Sequence, residues 1–234
     1  MPASVTKSFP IKVDQTAIIG ERKRGRPKAD TSNSIDEAHL LNTAFTMFAA
    51  YGYEASTMRA MARELEVSHN LLNVRFGRKS ELWKAAVGWR LDEAARDVER
   101  AFAEEGAPED RLRELVYRFC RWAIINSDII AISHQEGQQK SWRLDYLVEQ
   151  FILPFQERLQ SLLAEVAQER QLTPIDSGML LALLVNGVGS YFALGPLQNK
   201  LLPDQAVADG NGIAPEKQAD AMAEFLLAGL LASR

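Results

Sequence analysis

An all-α fold is what this sequence predicts, with a three-helix helix-turn-helix head near the N-terminus and a larger helical body behind it. Apolar residues recur at intervals of three and four from Ile35 to Leu231, the period of amphipathic helices. Glycines and prolines cut that pattern into pieces of helix length. No stretch carries sustained β-branched alternation, so no sheet is expected.

Taken in order, residues 1–33 lack either period and carry Pro2, Pro10, Gly20, Gly25 and Pro27, the composition of an arm without structure of its own. Ser34 with Glu37 three residues on has the spacing of a capping box, and the first helix runs from Ile35 through Phe45 and Phe48 to Gly52, which ends it. Thr57 caps a short helix with Met58, Met61, Ala62 and Leu65 on its inner side. Ser68 caps another, from His69 to Arg75, broken by Phe76-Gly77. A long helix covers Lys79 to Glu104. Beyond Pro108 the pattern predicts helices over 109–126, 128–137, 141–170, 174–194 and 216–231, the third kinked at Pro154.

The 234 residues suffice to bury a core, and 47% hydrophobic with 25% charged residues is the balance of an ordinary globular protein. Cys120 is the one cysteine, which excludes an internal disulfide and a thiolate metal cage and fits a reducing compartment. There is no signal-peptide pattern. The most apolar runs, Met179–Val185 and Phe225–Leu231, fall far short of the roughly 20 residues a bilayer span needs. A cytoplasmic protein with no membrane partner is expected. The formal charge of −4 argues against a nucleic-acid binder only until its distribution is seen. Arg22, Lys23, Arg24, Arg26 and Lys28 sit together, and Arg59, Arg63, Arg75, Arg78, Lys79 and Lys84 outnumber the nearby acids. The acidic excess lies in the remaining two thirds.

Two short helices joined by a tight turn, behind a longer supporting helix, make a helix-turn-helix unit whose second helix keeps one face free for a DNA major groove. The run AFTMFAAYGYEASTMRAMARELEVSHNLLNVRFGRKSELWKAAV resembles the DNA-binding domain of the TetR family of regulators. The elements that carry the resemblance are Phe48, Tyr51-Gly52-Tyr53, Thr57-Met58-Arg59, Ala62, the Val67-Ser68 turn, Leu71, Phe76, and Lys79 before Leu82. The resemblance implies that Thr57 and Ser68 aim helix-end N–H groups at phosphates and that His69, Asn70 and Asn73 face base edges. It further implies that Arg59 and Arg75 reach phosphate or base and that Lys79 holds a backbone phosphate. The chain departs from the family pattern at Asn73 and Arg75, where aromatics or histidine are usual, and at Arg78, where a capping serine or threonine is common. Asn and Arg are themselves groove readers, so an unusual base preference is expected.

In the arm, Arg24-Gly25-Arg26-Pro27 resembles the core of an AT-hook, whose arginines enter the minor groove of A·T tracts. A solvated basic tail adding non-specific attraction is the other reading.

The expected domains are therefore the arm at 1–33, the DNA-binding head at 34–87, and a ligand-binding and dimerisation body at 88–234. In the body, Met179, Leu183, Asn186, Gly187, Ser190, Met222, Phe225, Leu226 and Leu230 form two stripes over the last helices, and the family pairs such helices into a dimer bundle. A pocket for a small apolar or amphipathic ligand is implied by the resemblance, with Trp122, Trp142, Tyr146 and Tyr191 as candidate lining. His39 reads as structural, and His134 as a satisfied polar group or a pocket-lining one. Of the three histidines none has a partner at a two-histidine metal spacing.

The function expected is a sequence-specific regulator of double-stranded DNA, a homodimeric repressor released by its ligand. The alternative is a ligand-independent or architectural DNA binder that uses the arm. No Gly-rich phosphate loop, nucleophile elbow or metal-binding cluster points to an enzyme, and no cofactor is expected.

Overall fold

The structure is a computed structural model and describes residues 36–102, 105–173, 175–201 and 214–232, the side chains of residues 97–99 excepted. The arm, with Arg24 and Arg26, and the cap expected at Ser34 lie outside the described residues. Helices account for most of the described backbone, and the described residues contain no strand.

Helix α1 (Glu37–Ala55) is capped by Asp36, whose carboxylate accepts the N–H of Ala38 at 3.2 Å. The start is later than the capping-box spacing suggested, because a charged acceptor one residue before Glu37 serves the positive end of the helix directly. Gly52 ends the regular part at φ 78° and ψ 166°, leaving a last turn that runs to Ala55. Only glycine occupies that region without strain. Buried Ser56 donates its hydroxyl back to the Gly52 carbonyl at 2.8 Å.

Helices α2 (Met58–Glu64) and α3 (His69–Phe76) follow, then α4 (Lys79–Phe102). Leu40, Ala44, Phe45 and Phe48 of α1, Met61 and Ala62 of α2, Leu72 of α3, and Leu82, Trp83, Ala86 and Val87 of α4 form one buried cluster. Ile129, Ile132 and Leu147 from later helices belong to the same cluster.

Helices α5 (Pro108–Ile125), α6 (Ser127–Gly137), α7 (Trp142–Leu147) and α8 (Leu153–Arg170) build the body. Between α7 and α8 the chain widens into a π-helical turn, Val148–Ile152. Pro154 then falls in the first turn of α8, where its missing N–H costs no bond. The interruption expected at Pro154 is thus taken up before the proline. Helix α9 (Ser177–Ala182) is capped by Asp176 and passes through a second π-helical turn, Leu183–Gly189, into α10 (Ser190–Ala193). A Cβ at Gly189 would stand 2.9 Å from Ile130, so the close approach of this turn to α6 requires glycine.

The sequence pattern treats Gly195-Pro196 as a break, yet it opens a further helix, α11 (Gly195–Leu201), bent 75° from its predecessor. Pro196 at the first turn starts a helix as readily as it ends one. Helix α12 (Pro215–Leu230) lies on α5 through Ala219, Ala223 and Leu227, with Arg121 forked onto Asp220 at 2.7 and 2.9 Å. That guanidinium holds the Asp220 carboxyl below the usual range. Cys120 is fully buried in this second cluster, and burial pushes its thiol up to about 12. Among the described residues no single helix is long and apolar enough to cross a membrane, although α9–α10 and α11 reach that test as a bent pair.

A clasp joins the first helices to α6 and α7. Arg143 donates from Nε to buried Glu136 at 2.8 Å and stands 4.4 Å over the Tyr53 ring. Gln135 Nε2 donates to the Ala49 carbonyl at 2.6 Å. Trp83 lies at the centre, with Tyr53, Trp142 and Tyr146 at ring distances of 6.5, 5.3 and 5.8 Å. Burial pushes the Tyr53 phenol above its ordinary value, the Arg143 charge opposing it.

Gly52→Ala is expected to lose about 1–3 kcal/mol in urea denaturation, the range for strained backbone. Its Cβ would meet nothing closer than Gln135 at 3.7 Å, so the cost is conformational. Gly137→Ala, where a Cβ meets open space in a helix, should be neutral or slightly stabilising. Arg143→Ala strands the Glu136 carboxylate and should cost about 3 kcal/mol. The double variant Arg143→Ala with Glu136→Ala should lose less than the two single losses added.

Candidate nucleic-acid interface

The turn between α2 and α3 is built by Leu65, Glu66 and Val67. Glu66 takes φ 53° and the N–H of Val67 returns to the Ala62 carbonyl at 2.8 Å. Both short helices are capped by the residues the sequence singles out. Thr57 Oγ1 accepts the N–H of Ala60 at 3.1 Å, and Ser68 Oγ accepts the N–H of Leu71 at 3.3 Å. With Leu72 anchored in the core, α3 turns the side holding His69, Asn70 and Val74 to solvent.

The expected contact residues are not all equally free. The Asn73 amide lies 3.0 Å from His69 Nδ1, so these two hold each other in place on one flank. Arg75 is drawn aside to Glu37 on α1, at 2.8 Å. Lys79 donates from Nζ to the Tyr53 carbonyl at 2.9 Å and lies 4.1 Å over the Tyr53 ring. Its ammonium therefore ties the start of α4 to the end of α1. Arg59, Arg63 and Arg78 are exposed and have no ion-pair partner among the described residues. Val74 was not singled out by sequence reasoning. Its signal was available, because it stands one helical turn after Asn70 on the side away from Leu72.

The four candidate pocket residues fall into three separate sets of ring contacts. Trp142 and Tyr146 pack on Trp83. Trp122 leans on Phe119 at 5.4 Å, and its Nε1 is buried without a hydrogen-bond partner. Tyr191 meets Phe192. A small apolar recess elsewhere, between α5, α8 and α12, is lined by Leu112, Leu163, Leu172 and Leu230 among others and includes none of the four. His134 lies 3.1 Å from Asn186 Oδ1 and 3.4 Å from Ser190 Oγ, so it is a bonded polar group. Among the described residues no three His, Cys, Asp or Glu side chains converge in a way that could hold a metal.

Of the expected dimer stripe, Met179, Leu183, Asn186, Gly187 and Phe225 are exposed, and Ser190, Met222 and Leu226 are half-buried. Leu230 is buried in the chain's own core, because it falls on the side of α12 that faces α5. Leu194, Leu197 and Leu201 add exposed apolar surface that the sequence reading did not include.

Residues 40–86 match the family described as "Bacterial regulatory proteins, tetR family". No curated protein matches the sequence. Among solved structures the chain is similar to AibR in complex with isovaleryl coenzyme A and operator DNA, at 15% identity over 82% of this chain and 96% of that one, with a TM-score of 0.63. It is similar to the transcriptional regulator FadR from Bacillus subtilis in complex with stearoyl-CoA, at 12% identity over 83% and 99% of the two chains, with a TM-score of 0.61. A ketosteroid transcriptional regulator of Mycobacterium tuberculosis aligns at 18% identity over 82% and 92%, with a TM-score of 0.63. At these identities the likeness to the solved structures is one of fold. The family match falls on α1 to α4, and around it the chain shares the fold of these solved structures.

Proposed function

We propose that this chain is a transcriptional regulator of the TetR type, a homodimeric repressor that holds two half-sites of an operator with its α3 helices and is released by a small apolar or amphipathic ligand. In this reading residues 1–33 are a basic arm, 34–87 the DNA-binding head and 88–234 the ligand-binding and dimerisation body. The observation that carries it is the outer side of α3, where His69 and Asn70 are exposed and Asn73 bonds His69, together with the exposed cations Arg59 and Arg63 of α2 and Arg78 after α3, which have no ion-pair partner among the described residues. Amides read base edges and the cations neutralise phosphates. Ser68 and Thr57 fix the helix ends from which N–H groups meet phosphate. On contact with DNA, Arg75 exchanges Glu37 for a phosphate, and Lys79 stiffens the joint between α1 and α4 while adding its charge. Arg24 and Arg26 add minor-groove or non-specific contacts.

The dimer reading is supported by Met179, Leu183, Leu194, Leu197, Leu201 and Phe225, exposed apolar side chains that lie between α9 and α12 in the chain. The ligand reading is supported by the coenzyme A thioesters bound to two of the similar structures. In this chain the buried and unbonded Trp122 N–H is the donor we assign to the ligand, since an unpaired buried donor costs about 1–3 kcal/mol that a ligand acceptor would recover. Release requires the ligand to favour the geometry that DNA does not.

Fluorescence anisotropy on a labelled duplex, with excess random competitor and a salt series, tests the reading. A DNA site bound tightly through the competitor is expected, and binding that the competitor abolishes for every selected duplex would sink the sequence-specific regulator. Arg59→Ala should weaken binding to all duplexes alike and reduce the salt slope by about one, without changing thermal stability. Isovaleryl-CoA, stearoyl-CoA and a ketosteroid serve as ligand probes. A probe that raises the melting temperature but leaves DNA affinity unchanged contradicts ligand release. For the dimer, Phe225→Asp combined with Leu183→Asp should halve the mass in sedimentation while helix content is kept. A wild-type chain that sediments as a monomer at micromolar concentration contradicts it.

A further inference from the structure

Helix α3 has one residue buried completely, Leu72, and this fixes which side chains stand furthest from the core. At about 100° per residue, Asn70 and Val74 lie at about 160° and 200° from Leu72, directly opposite the anchor. Asn73 and His69 fall to one flank, bonded to each other, and Arg75 to the other, bonded to Glu37. The outermost ridge of the helix is therefore an amide and an isopropyl group, side by side one turn apart. Val74 is 77% exposed, among the most exposed of the large apolar side chains described. A β-branched residue there gains nothing from packing and is a poorer helix former than alanine.

We propose that Val74 reads the 5-methyl group of a thymine in the operator, while Asn70 bonds the neighbouring base edge. This rests on the reading of α3 as the helix that enters the major groove. The thymine methyl is the one apolar group that a base pair presents in that groove, and a small branched alkyl side chain is its complement. The surroundings commit the face to DNA over a protein or lipid partner. Val74 is an isolated apolar side chain among polar ones on the outer side of α3, and the exposed cations Arg59 and Arg63 of α2 and Arg78 just after α3 are without ion-pair partners among the described residues. A protein-docking helix would present a stripe of several apolar anchors. The contact gives the chain discrimination of T·A from C·G at one position of each half-site, which neither flanking pair supplies.

The test uses a duplex selected from a random-sequence pool by the full-length chain, with each thymine replaced in turn by deoxyuridine, which removes only the methyl. For the wild-type protein one thymine in each half-site should show an affinity loss of about fourfold on replacement, the worth of one buried methyl-sized group. Val74→Ser should weaken binding to the thymine duplex and abolish the difference between thymine and deoxyuridine at that position alone. Unchanged melting temperature and helix content confirm that this exposed substitution leaves the fold intact. If Val74→Ser keeps the full deoxyuridine penalty at every position, or if the wild-type chain binds its duplex tightly with no methyl-sensitive thymine, the assignment is overturned while the regulator reading stands. If no duplex survives competition, both fall together.

Discussion

The burial of Trp83 is the contact on which the described chain depends. The indole is 1% exposed and sits where α1, α4 and α7 meet, touched by Tyr53, Trp142 and Tyr146. Burying so large a ring contributes on the order of 3 kcal/mol, and edge-to-face neighbours add to it. Its position on α4 makes that contribution structural in a particular way. Leu82, Trp83, Ala86, Val87 and Ala94 of α4 belong to the cluster that holds α2 and α3, whereas Ala101 belongs to the cluster of α5, α8 and α12. One helix is thus a member of two cores, and a rotation of α4 in either is felt in the other.

Around that centre the polar contacts are placed where they resist sliding. Arg143 with Glu136, Gln135 with Ala49 and Lys79 with Tyr53 each bridge different helices and are partly or fully withdrawn from water. Apolar packing alone would tolerate small shifts of α6 and α7 against α1. Directional bonds to a carbonyl or a buried carboxylate do not, because a stranded partner is expensive in a low dielectric. Such bonds therefore fix where the first helices sit on α6 and α7.

Outward faces of opposite character result from the same economy of burial. Once Leu72 is used as an anchor, the rest of α3 has no core to face, and it carries amides, a histidine and one valine. Once Leu180, Leu184 and Val188 are buried, the other side of that helix leaves Met179 and Leu183 to solvent, with Phe225 of α12 80% exposed. The first face is polar and hydrogen-bonding, the second apolar. The chain's charge of −4 hides this division, since the cations gather around α2 and α3 and the acids over the remainder.

What the sequence determined by itself was local. Helical period, the caps at Thr57 and Ser68 and the breaks at Gly52 and Gly77 are written in short-range residue choices, because caps and turns are satisfied within three or four residues. The family resemblance was legible in the same stretch for the same reason, and the matched residues 40–86 are those local elements. What tertiary structure decided was partnership. Arg75 had no sequence mark of being claimed by Glu37, nor Lys79 of bonding Tyr53, nor Leu230 of turning into its own core. Nor did the aromatics at helical spacing show that Trp142 and Tyr146 pack on Trp83 and Tyr191 on Phe192. Each of these depends on which helices cross and at what rotation. That is set by the summed packing of many side chains distant in sequence, and no single residue's neighbours along the chain carry it.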